Sequence, residues 1–163
     1  MKFDNSGNKQ PPNFLLWLSY PLLMLIIIGF AWRPLTGGDD FWAHASIGRW
    51  VVENGRIPKQ TLFLWSESAP WIAHAWGTGV VFATLMKVGG ESYGPWLTQI
   101  FNVAVCLVPF TLLWRYWRLN APYNSLIPPI FVLAIWVSNA RYHPRPELFT
   151  ATFLVLLLLF LTK

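Results

Sequence analysis

The chemistry of this chain is concentrated in Gly38-Asp39-Asp40-Phe41-Trp42-Ala43-His44, which follows the first long apolar run. Only seven of the 163 residues are Asp or Glu, and two of the seven stand side by side here. A carboxylate kept close to a membrane boundary costs free energy and is a functional-site candidate by default. Asp40 or Asp39 could serve as a general base or a metal ligand, oriented by His44. The plainer alternatives are an N-cap at Asp39, a favourable first-turn charge at Asp40, and an interior histidine at His44 bonded to Asp40.

The element that must position these groups is a helix. Asp39 can cap a helix from Asp40 to about Glu53, and Gly55 can end it. At 100° per residue, Trp42, Ser46, Arg49 and Glu53 form a narrow polar arc. Phe41, Ala43, Ala45, Ile47, Trp50, Val51 and Val52 fill a broad apolar arc, and Asp40 and His44 fall inside it. The projection predicts a helix lying on a membrane surface or on other helices, with Asp40 and His44 turned inward.

Composition gives the class. The chain is 55% hydrophobic and 12% charged, against roughly 25% charged in ordinary soluble domains. Its apolar residues come in long runs, and its eleven tryptophans suit membrane interfaces. The expected fold is all-α: a polytopic transmembrane protein of about five spans. After a polar tail at 1–13, the spans fall at about 14–32, 71–88, 95–114, 123–139 and 147–162, with a long loop carrying the surface helix at 33–70. The first span has a secretory signal peptide as its rival, but the run is longer than a usual h-region. Pro128-Pro129 should kink the fourth span or mark its true start. The fifth is short for a crossing.

The net charge of +5 does not point to nucleic acid, because the basic residues sit scattered at the ends of apolar runs and anchor helices in the interface. Counted over five spans, Lys and Arg divide five against seven between the two sides, so charge does not set the orientation. Cys106 is the single cysteine, so no intrachain disulfide forms. No zinc pattern, P-loop or glycine-rich nucleotide fingerprint is present.

Three further polar positions are candidates. His74 stands at the start of the second span, as an interfacial histidine or a wall of the same site. His143-Pro144-Arg145-Pro146-Glu147 is a helix junction that could bind a phosphate or headgroup through Arg145 paired with Glu147. Arg115-Tyr116-Trp117-Arg118 is an interfacial anchor, or a phosphate contact. Counting five spans puts the 143–147 junction on the side opposite the first loop, unless the fourth span is re-entrant.

Asp40-x-Trp42-x-His44-x-x-x-Gly48, Gly55-Arg56-Ile57-Pro58, Phe63, Trp71-x-x-His74-x-Trp76 and Arg145-Pro146-Glu147-Leu148 occur in that order. Together they resemble the N-terminal part of GT-C-type membrane glycosyltransferase-like proteins, over about residues 38 to 150. The resemblance implies a bacterial inner-membrane protein with a cytoplasmic N-terminus and a non-cytoplasmic first loop bearing an essential Asp. It implies transfer of a sugar from a polyprenyl-phosphate carrier, with the bilayer and that lipid as partners. Asp40, then Asp39, fits the essential Asp. Arg145, Arg115 and Arg49 could meet the charge on the leaving phosphate, and a divalent metal is a further candidate. The chain departs from the family at Thr61 and Ala75, where acidic residues are usual, and it is shorter than related enzymes. A non-catalytic membrane subunit with its own protein partner, or a truncated relative keeping only the fold, is the alternative.

Overall fold

The computed structural model describes residues 14–36, 40–62, 70, 72–120 and 126–162. It is helical, and among the described residues the only extended pairing is one isolated bridge between Gln60 and Pro70. The helices are α1 (Phe14–Ala31), α2 (Asp40–Asn54), α3 (Trp76–Asn120), α4 (Ile127–Ser138) and α5 (Glu147–Leu161), with a 3₁₀ turn at Asn139–Arg141 after α4. The prolines of α4 stand in its first turn, where a missing N–H costs nothing, so they start the helix and do not kink it.

The helix α2 begins where its sequence predicts. Gly55 ends it at φ 64°, with its N–H on the Val51 carbonyl at 2.9 Å. Phe41, Ala45, Ile47, Gly48 and Val51 are buried, while Trp42, Ser46, Arg49 and Glu53 are exposed. The projection is corrected at Ala43 and Val52, which are exposed; Gly48, which it did not place, is buried because α2 crosses α3 there. A Cβ on Gly48 would stand 1.9 Å from the Gly79 carbonyl oxygen, so only glycine allows the crossing.

The segments read as second and third spans join in α3, broken at Gly90 (φ 62°, ψ −167°). In a straight helix, residues eight apart lie about 12 Å apart. Here a Cβ on Gly94 would meet the Met86 Cα at 2.9 Å, so the two arms fold back on each other. The first arm packs against α2, with Phe41 on Phe82 at 5.1 Å between ring centroids.

The second arm of α3 is the centre of the main core. Tyr20 of α1 meets Thr111 at 3.3 Å, and the Ala31 carbonyl accepts from Asn102, so α1 runs antiparallel to this arm. So does α4, with Phe131 against Trp114 and Trp117 (5.4 and 5.0 Å) and Tyr142 against Phe110 (6.4 Å). Leu23, Ile27, Val103, Phe131, Ile135 and Tyr142 are among the buried residues of this cluster. The ends of α1 and α4 and the start of α5 therefore meet at one end of the bundle. Among the described residues, α3 is the only helix both long and apolar enough to cross a membrane; the other apolar helices, 18–31, 127–141 and 147–161, are shorter.

Candidate functional site

Three polar residues of α3 build the site from beneath. Thr98, Gln99 and Asn102 are buried, Asn102 to 1% exposure, in an otherwise apolar segment. The last carbonyls of a helix lack intrahelical donors. Asn102 donates to the Ala31 carbonyl at 3.2 Å and to the Tyr142 carbonyl at 2.9 Å, and Gln99 donates to Ala31 as well. One amide thus ties the end of α1 to the segment after α4. Arg33 and His143 lie two residues and one residue beyond those anchor points and meet: Arg33 Nη1 donates to His143 Nε2 at 3.4 Å, and Nη2 donates to the Asn139 side chain.

The two predicted clusters lie together. Asp40 Oδ2 accepts from Arg145 Nη2 at 3.0 Å. The 143–147 junction and the first loop, which counting five spans puts on opposite sides, are therefore in contact. Asp40 is also not turned inward: its side chain is 62% exposed, at the rim of the helix. Arg145 engages Oδ2, and a carboxylate's two oxygens together can accept several hydrogen bonds. An ion pair this exposed contributes about 0–1 kcal/mol, so it orients both groups without locking them.

His44, one turn on, is half-buried, and burial holds its ring below the ordinary value of 6.5. The neighbouring carboxylates of Asp40 and Glu147 oppose that shift, whereas His74 and Arg145 add to it. Asp40 of α2, His74 just before α3, and Arg145 and Glu147 of the 143–147 junction thus all act electrostatically on His44. A neutral imidazole there can accept or pass a proton.

The remaining predicted residues divide. Asp39 lies outside the described residues. Arg49 is apart from the cluster, on the exposed face of α2, lining a groove of about 390 Å³ with Glu53, Lys87 and Glu91. Arg115 is thirteen residues on from Asn102, about 20 Å along a helix, and stands at the opposite end of the bundle, next to Trp114, which meets Tyr20. Among the described residues, no three His, Cys, Asp or Glu side chains converge as metal ligands. The partner of Asp40 is a guanidinium, which does not fit a divalent cation at that carboxylate.

Sequence reasoning missed Arg33, Asn139, Gln99 and Asn102. Three adjacent-turn polar residues inside an apolar span were the signal available for the last two. Comparison with protein-family models, with curated proteins and with solved structures gives no match in any of the three.

Proposed function

We propose that this chain is a polytopic membrane protein whose Asp40 site transfers a sugar from a polyprenyl-phosphate carrier to an acceptor hydroxyl. The observation that carries the reading is the meeting of Asp40 with Arg145 beside His44, from segments 105 residues apart. Asp40 takes the acceptor's proton as the acceptor oxygen bonds to the anomeric carbon. The bond from that carbon to the phosphate oxygen breaks, and the lipid phosphate leaves with the electron pair. Arg145 steers the carboxylate, and His44 receives or relays the proton.

The membrane part of the reading is four crossings: α1, the second arm of α3, α4 and α5. Parity supports four over five, since Asp40 and Arg145 share a side only if an even number of crossings separates them. The exposed apolar faces of α1 (Leu18, Leu22, Leu25) and of α5 (Phe153, Leu157, Phe160) suit hydrocarbon. In this reading the site faces the non-cytoplasmic side of a bacterial inner membrane.

The test is turnover of a polyprenyl-phosphate-linked sugar by the protein in lipid nanodiscs. Asp40→Asn is expected to lower the rate by about 10²-fold or more. Wild-type turnover in Asp40→Asn would remove the general-base role. Binding of the carrier without turnover in the wild type would favour the alternative, a non-catalytic subunit, to which the Thr61 and Ala75 departures also point.

A further inference from the structure

We infer that Arg33 and His143 form the seat of a phosphate group, and that Arg33, not Arg145, Arg115 or Arg49, is the cation that meets it. This rests on the carrier reading for the lipid and on geometry alone for the anion. Each of the other arginines is otherwise placed. Arg145 is engaged by Asp40, Arg115 is at the far end of the bundle, and Arg49 lies in a groove with Glu53 and Glu91.

Arg33 differs from them. It is half-buried, and among the described residues no carboxylate pairs with it, the one ion pair there being Asp40–Arg145. Its two partners are the His143 ring nitrogen Nε2 and the Asn139 side-chain oxygen, neither of them a carboxylate. A guanidinium has five N–H donors in a planar fork, and two are used here. That leaves a fixed, partly desolvated positive charge with spare donors, the arrangement that recognises phosphate oxygens bidentately.

The seat is also held in place from below. Asn102 and Gln99 bond the Ala31 carbonyl, two residues before Arg33, and Asn102 bonds the Tyr142 carbonyl, one residue before His143. Arg145 follows His143 by two residues, so the phosphate seat and the Asp40 carboxylate flank the same short segment. A phosphate at Arg33 displaces the Arg33–His143 hydrogen bond, and His143 bonds it in turn by donating from Nε2, which requires the proton to sit on that nitrogen.

Two probes separate the sources of such a phosphate: inorganic phosphate, and a long-chain polyprenyl phosphate in nanodiscs. Binding of each is measured for the full chain, with the melting temperature recorded for every variant. Arg33→Gln and His143→Ala are each expected to weaken polyprenyl-phosphate binding at least about tenfold. Arg33→Lys, which keeps the charge and loses the fork, should fall between Arg33→Gln and wild type, and remains informative if Arg33→Gln fails to fold. Arg56→Gln, a cation lying over Trp50 at 5.7 Å, should bind as wild type. Lipid binding unchanged in Arg33→Gln and Arg33→Lys would overturn the seat and leave the carrier reading standing. Arg33-dependent binding of inorganic phosphate without lipid binding would support the seat and remove the carrier. No binding of either probe would overturn both.

Discussion

At His44 two opposing influences meet, and their signs make a titration diagnostic. Burial lowers the ring's affinity for a proton, and the Asp40 and Glu147 carboxylates raise it. The folded ring therefore titrates below 6.5 and is neutral at neutral pH. As pH falls below 6.5 the unfolded chain takes up the proton first, so the stability associated with the neutral ring is lost as pH drops toward the folded value. Asp40→Asn should lower the His44 midpoint further, and His74→Gln should raise it; NMR of the labelled imidazole reads both. A midpoint unmoved by Asp40→Asn would mean that the two side chains do not interact. Asp40 and His44 were legible in the sequence because four-residue spacing puts them on one helix face. Arg145, between Pro144 and Pro146, and Glu147, just after them, were legible as charges at a proline-marked junction. Arg33 was not, because its role depends on a partner 110 residues away.

Among the elements, the crossing of α2 over α3 and the break at Gly90 set the positions of everything else. Gly48→Leu would drive a side chain into the Gly79 backbone, which cannot move aside as a flexible side chain can. It should cost roughly 3 kcal/mol or more and separate α2 from its support. Gly29→Ala, with nothing within 4 Å of the new Cβ, should be neutral or stabilising by up to about 1 kcal/mol. Thermal melting of the two variants tests the pair, and equal melting temperatures would contradict the crossing. Gly90→Ala has space but the wrong φ. It should cost about 1–3 kcal/mol and weaken the fold-back. The boundaries of α2, the start of α4 at its prolines and the start of α5 at Glu147 were all readable from caps and breakers. The fold-back follows from reading 71–88 and 95–114 as separate spans broken at Gly89-Gly90, but the close Gly94–Met86 approach of the two arms was not readable, because one segment's sequence does not contain it.

For the whole molecule, the consequence is which segments share a side. Hydropathy names apolar runs but cannot tell a run that crosses from one that packs on a neighbouring helix, so counting runs placed the 143–147 junction away from the first loop. The Asp40–Arg145 contact requires the opposite. Impermeant thiol labelling in intact membrane vesicles tests this most directly, in a Cys106→Ala background with single cysteines at Ser46, Ala140 and Ser6. Ser46→Cys and Ala140→Cys should be labelled from one side and Ser6→Cys from the other. Labelling of positions 46 and 140 from opposite sides would contradict the account, because Asp40 and Arg145 could then not form one site.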